Sequence, residues 1–193
     1  MTTAARCATI AAATLLSAAT SLSSISLEGQ TRLDSSPGGQ PLTIFDRDGK
    51  VVGTVGEPGL YSQPAFSPDA TQVAVAKVDP ATQTTDIWVV TLPAGQSRRI
   101  SSDPASDTEP VWSPDGTQVA FISRRAGSWN LYRASSNGTA REELLYRHAG
   151  FGGISNLGWS ADGRVLTFSD LINISGAMYV LLDRKSTRLN SSH

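Results

Sequence analysis

The sequence predicts an all-β chain, a partial β-propeller of four-stranded antiparallel blades with about two complete blades and two partial ones. Three observations predict it. One motif recurs, as Pro64-Ala65-Phe66-Ser67-Pro68-Asp69-Ala70, Pro110-Val111-Trp112-Ser113-Pro114-Asp115-Gly116 and Asn156-Leu157-Gly158-Trp159-Ser160-Ala161-Asp162-Gly163. Its aromatic anchors Phe66, Trp112 and Trp159 stand 46 and 47 residues apart, within the period of roughly 40–50 residues that marks propeller blades. A second, strand-like motif keeps step with the first: Asp86-Ile87-Trp88-Val89-Val90, Asn130-Leu131-Tyr132-Arg133-Ala134 and Ala177-Met178-Tyr179-Val180-Leu181, with Leu42-Thr43-Ile44-Phe45-Asp46 as an earlier copy.

Each element follows from local chemistry. Pro114 presets φ for a type I turn, Asp115 binds backbone N–H groups, and Gly116 supplies the left-handed residue that sends the chain back. Val119 and Phe121 then alternate with Gln118 and Ala120, the period-2 pattern of a half-buried strand. Asn137-Gly138 is a hairpin signal, and Asp46-Arg47-Asp48-Gly49 and Leu92-Pro93-Ala94-Gly95 occupy comparable turns. Strands are therefore expected near 41–46 and 50–55, then near 62–67, 72–77, 86–92 and 97–101. The next blade reads 109–113, 118–123, 130–135 and 140–145, and three strands follow near 155–160, 164–169 and 177–182. Ala70 stands where Gly116 and Gly163 stand, an expected cost of about 1 kcal/mol if that backbone is left-handed. Trp88, Trp112, Tyr132 and Trp159 are read as packing between blades.

The ends depart from the repeat. Residues 1–40 form a signal-like or miscalled N-terminal segment of low order, 41–182 the partial propeller, and 183–193 a tail. The uncharged run Ala8–Leu22 is too short and polar for a membrane span. It fits a secretory signal, with Ser17-Ala18-Ala19 for cleavage, or a miscalled start. The single cysteine, Cys7, lies in this segment, so no disulfide is expected. The tail Asp183–His193 looks like the translation of a sequencing adapter, and a gene truncated within its last blade is the expectation. Such a segment, expressed alone, would expose a sheet edge and apolar blade faces and self-associate; clean monomeric two-state unfolding would refute that.

A formal charge of −1 excludes a strongly basic nucleic-acid binder, and the pairs Arg98-Arg99 and Arg124-Arg125 are too few for a nucleic-acid groove. The sequence holds no His-Arg-Asp, Asp-Phe-Gly or Gly-x-Ser-x-Gly element. Gly150-Phe151-Gly152-Gly153 lacks the lysine and helix of a phosphate cradle and reads as a flexible loop. His148 has no evident orienting carboxylate or nucleophile and reads as a surface-loop histidine. Ser113 and Ser160 read as turn residues, and so do the aspartates beside them. Asp103, Asp107 and Glu109 offer oxygen ligands for Ca²⁺, but their spacing matches no calcium loop, so they read as solvated loop carboxylates. Asn137-Gly138-Thr139 and Asn173-Ile174-Ser175 match the glycosylation sequon. No residue is nominated as catalytic, cofactor-binding or metal-ligating, no cofactor is expected, and the binding residues are unknown from sequence.

The Ser-Pro-Asp-Gly repeat resembles the WD40-like blades of TolB-type propellers, which also precede prolyl oligopeptidase-type catalytic domains. An ordered set of blocks is similar to the C-terminal propeller of bacterial eukaryotic-like serine/threonine kinases. It comprises Phe45-Asp46-Arg47-Asp48-Gly49-Lys50, Gly53-Thr54-Val55-Gly56-Glu57-Pro58-Gly59, Tyr61, Asp86-Ile87-Trp88, Asp103-Pro104-Ala105, Pro110–Gly116 and Glu142-Glu143-Leu144-Leu145. The resemblance implies a non-catalytic protein-interaction or ligand-sensing module of a larger bacterial protein, a receptor-like kinase that could be membrane-anchored, set outside the cytoplasm or in the periplasm. Its partner would be a protein or small ligand, not nucleic acid. The alternatives are a propeller gating a peptidase domain and a free periplasmic TolB-like propeller.

Overall fold

The computed structural model describes residues 38–149, 152–172 and 175–182. Of the segments expected at the ends, 183–193 and most of 1–40 lie outside these residues, as does Asn173 of the second sequon. The first sheet pairs β1 (Gln40–Phe45) with β2 (Val51–Gly59). The second runs in the order β3 (Tyr61–Phe66), β4 (Gln72–Val78), β5 (Thr85–Thr91) and β6 (Ser97–Arg99). The third repeats it with β7 (Asp107–Trp112), β8 (Gln118–Ser123), β9 (Asn130–Ser135) and β10 (Glu143–Tyr146). The fourth holds β11 (Gly152–Trp159), β12 (Val165–Ile172) and β13 (Ser175–Leu182). Every pairing is antiparallel between sequence neighbours, the meander of a propeller blade. The four sheets are called blades one to four below.

The turns form as their chemistry dictates. Gly116 N–H donates to Ser113 C=O at 2.9 Å, and Ser113 N–H to Gln118 C=O at 2.9 Å. The Asp115 carboxylate accepts from Ser113 Oγ at 2.6 Å and from Thr117 N–H at 3.0 Å. Asp69 and Asp162 accept the same bonds from Ser67 and Thr71 and from Ser160 and Arg164. Gly116 and Gly163 sit at φ 71° and 70°, and Ala70 is held at φ 57°. Ala70→Gly should therefore stabilise the chain by about 1 kcal/mol. A rise in urea midpoint at unchanged slope would show it; no shift would mean that the turn relaxes around Ala70.

Three departures from the expected strands have local causes. β10 begins at Glu143, not near 140, because the Glu142 side chain reaches the preceding blade and accepts from Ser102 N–H. β2 continues through Pro58 to Gly59 because it is an edge strand, where proline's missing donor costs no ladder bond. Gly152 and Gly153, expected in a loop, open β11 and pair with Ile172 and Leu171; residues 150 and 151 lie outside the described set.

The cores lie between blades. Ala74, Ala76, Ile87 and Val89 of blade two close on Trp112, Val119, Phe121 and Ala134 of blade three, with Tyr132 against them. Ala120, Ile122 and Leu131 of blade three meet Leu166 and Phe168 of blade four, with Trp159 alongside. Val73, Val75 and Val90 of blade two hold Leu42 of blade one, and Trp88 packs there. The four aromatics thus take the interblade positions expected of them. The first strands of blades two, three and four also touch, β3 against β7 and β7 against β11, so the starts of these blades line the inner side of the array.

Candidate functional site

Polar chemistry concentrates where three repeat positions converge between blades. Ser101, Asp107 and Ser123 stand eleven before, five before and eleven after Trp112. The same offsets from Trp159 give His148, Ile154 and Asp170, and from Phe66 they give Val55, Tyr61 and Lys77. One backbone node is thus filled with three different chemistries.

At the first node the Lys77 ammonium lies 5.4 Å from the Tyr61 ring centroid and 5.0 Å from that of Trp88, cation–π distances. At the second, the wholly buried Asp107 carboxylate takes Arg125 Nη2 at 3.2 and 3.3 Å and further bonds from Ser123 and Ser101. Arg125 lies 4.2 Å from the Tyr132 ring centroid and reaches Glu142 Oε2 and, at 3.9 Å, Asp103 Oδ2. Burial pushes the Asp107 carboxyl above its usual range, against the pull of those hydrogen bonds and of Arg125.

The third node corrects the expectation for His148. It is not on a surface loop: its side chain and that of Asp170 are fully enclosed, with Nδ1 2.8 Å from Asp170 Oδ1. Tyr146 Oη donates to Asp170 Oδ2 at 2.7 Å, and His148 N–H to Asn130 Oδ1 at 3.0 Å. Burial, then the bond to Asp170 and its charge, push the Tyr146 phenol up to about 12. His148 is inside because it takes the repeat position that Ser101 takes one blade earlier. An orienting carboxylate is present after all, but complete enclosure of both side chains denies a substrate access to the pair.

Of the three acidic residues considered for calcium, Asp103 and Asp107 share Arg125 and Glu109 turns to the next blade. Asp107 faces inward in β7, Asp103 faces Arg125, and Glu109 accepts from Asn156 N–H at 3.2 Å. Asp107 is therefore not a solvated loop carboxylate. The basic pairs are structural in part: Arg98 donates to Ser136 C=O and Gln72 Oε1, Arg99 to Asp86, and Arg124 lies 5.7 Å from the Trp129 ring centroid.

Sequence reasoning missed an inner-strand series. Gln63, Glu109 and Asn156 each precede an anchor aromatic by three residues, and each is left-handed, at φ 52°, 52° and 56°. Each sits at a break in pairing register, between Ser62 and Ala65, Thr108 and Val111, and Ser155 and Gly158, the mark of a β-bulge. Glu109 N–H donates to Gln63 Oε1 at 2.9 Å, as Asn156 N–H does to Glu109. The Gln63 and Glu109 side chains thus each cap the bulge of the next blade. The fixed offset and the shared side-chain oxygen were the available signal.

The carboxyls divide by environment. Bonds from Ser113 and Thr117 hold Asp115 below the usual range, and equivalent bonds from Ser67 and Ser160 lower Asp69 and Asp162. Burial raises Asp107 and Glu109. A lowered group stabilises the fold above the unfolded value of about 4, and that contribution fades as pH falls through the folded value. A raised group acts oppositely, its contribution fading as pH rises through the folded value. Carbon-13 NMR titration should find Asp115 protonating at lower pH than an ordinary aspartate and Asp107 at higher pH; the reverse order would contradict the geometry.

The family model described as "TolB beta propeller domain" matches residues 40–192. A search of curated proteins finds no match. Among solved structures, a putative TolB from Agrobacterium tumefaciens superposes with a TM-score of 0.57 at 20% identity, covering 67% of this chain and 47% of that one. TolB from Acinetobacter baumannii gives 0.55 at 25%, covering 69% and 34%. An oligogalacturonate lyase from Vibrio parahaemolyticus gives 0.58 at 15%, covering 76% and 46%, a likeness of fold. The chain spans less than half the length of each of these structures.

Proposed function

The chain belongs to the TolB beta propeller domain family, and from that premise we propose that it is a non-catalytic interaction module, a run of propeller blades that binds a protein or small ligand on behalf of a larger bacterial protein. One observation carries the reading. The inner-strand bulges repeat their backbone geometry from blade to blade while the side chain changes from Gln63 to Glu109 to Asn156. A constant frame with variable side chains suits recognition, and loops and bulges on a rigid scaffold are where binding residues concentrate. The ordered blocks from Phe45 to Leu145 favour a receptor-like kinase as the parent, and an extracytoplasmic setting goes with that reading.

Sequencing the gene on both sides tests it. A kinase domain and a membrane span upstream are the expected result. A Gly-x-Ser-x-Gly nucleophile elbow downstream would overturn the non-catalytic reading in favour of a gated peptidase.

A further inference from the structure

Between blades two and three a cleft of about 590 Å³ opens along the outer side, lined among others by Arg99, Ser102, Arg125, Tyr132, Arg141 and Glu142. Its anion-binding groups are already filled. Glu142 Oε1 accepts from Ser102 N–H at 2.5 Å and from Ser102 Oγ at 3.1 Å, while Oε2 takes Arg125 Nη1. The receptor half is rigid: Arg125 is pinned by the buried Asp107 and stacked on Tyr132, an orientation suited to carboxylate recognition. The half that fills it is held less closely. The turn before it is closed by Gly138 N–H to Ser135 C=O and Thr139 N–H to Asn137 Oδ1, but Ala140 and Arg141 are exposed, and ladder pairing of β10 with β9 begins only at Glu143.

We propose that this cleft is a carboxylate-recognition site that the chain occupies itself with Glu142, and that an acidic peptide segment binds there by displacing Glu142. The proposal rests on the interaction-module reading and names the partner chemistry and the surface. Exchange is physically reasonable because one carboxylate replaces another. The number of charges around Arg125 stays constant, so no buried cation is left unpaired, which would be the costly outcome. The strap would leave by releasing three hydrogen bonds at its tip, with the β9–β10 pairing left in place. Arg141 and Arg99, the latter also paired with Asp86, stand at the cleft wall to meet further acidic side chains.

The test uses the full chain and a labelled, acetylated peptide Ala-Arg-Glu-Glu-Leu, a copy of the strap, with fluorescence anisotropy as the readout. Glu142→Ala is expected to bind the peptide about tenfold more tightly than the unaltered chain. The gain should vanish for a peptide with glutamine at its third position. Equal affinity for variant and unaltered chain, including no binding to either, would overturn the proposal. Should Glu142→Ala fail to fold, the isosteric Glu142→Gln, weakened only in its charge, must show a gain in the same direction or the proposal falls. The two readings fail separately. A nucleophile elbow downstream with tighter peptide binding removes the non-catalytic reading and keeps the site; unchanged binding removes the site alone.

Discussion

Trp112→Ala is expected to destabilise the array by about 3–5 kcal/mol, the range for emptying a buried aromatic site. Trp112 is 8% exposed and belongs to both sides of one interface. Its ring is walled by Ala74, Ala76, Ile87 and Val89 of one blade and by Val119, Phe121 and Ala134 of its own. Alanines form part of that wall and carry no side chain that could swing in to fill the space. The indole Nε1 also donates to Ala65 C=O across the interface at 2.9 Å, a bond worth about 1 kcal/mol net. Trp112→Phe isolates it, keeping most of the packing and losing the donor. Phe66 supplies the internal control. It holds the same repeat position but is 65% exposed, so Phe66→Ala should cost well under half as much. Urea unfolding followed by far-UV circular dichroism compares the three. In a stack of repeats stability is a sum of units and interfaces, so a Trp112→Ala transition that splits in two would place the loss at this interface. Equal effects at Trp112 and Phe66 would sink the account.

The contrast between those two aromatics marks what was legible in the sequence. Strand period, turn chemistry and the recurring anchors are local signals, and they located the blades to within a few residues. Ser113 and Ser160 were readable as turn residues because every partner they need lies within five positions. What escaped was set by distance along the chain. β10 starts late because Glu142 answers to Ser102, forty residues earlier. The left-handed bulges are tied to side chains 46 and 47 residues away, and no local propensity favours φ > 0 for glutamine or glutamate. His148 was misplaced for the same reason. Its neighbours in sequence suggest a loop, while its equivalence to Ser101 through the period assigns it to the interior.

His148→Ala should also be strongly damaging, through a stranded buried polar group in place of lost packing. The substitution leaves the Asp170 carboxylate with 0% exposure and without the imidazole that lies 2.8 Å from its Oδ1. Tyr146 Oη still donates to Oδ2, but one hydrogen bond does not serve both oxygens of a buried carboxylate, and leaving a buried polar group without its partner costs about 1–3 kcal/mol, more for a charged group. Most of that penalty belongs to the stranded charge, which a double-mutant cycle separates from the worth of the pair. His148→Ala combined with Asp170→Ala strands no anion, so the double variant should be more stable than His148→Ala alone, even with the Tyr146 hydroxyl left unpartnered. The preceding blade shows why the exchange is tolerable in principle. There the equivalent positions are Ser101 and Ser123, and the carboxylate sits instead on the first strand as Asp107. The node accepts different polar sets and does not require a histidine as such. Additive costs, with the double variant the least stable of the three, would show that His148 and Asp170 act independently and that their closeness contributes nothing.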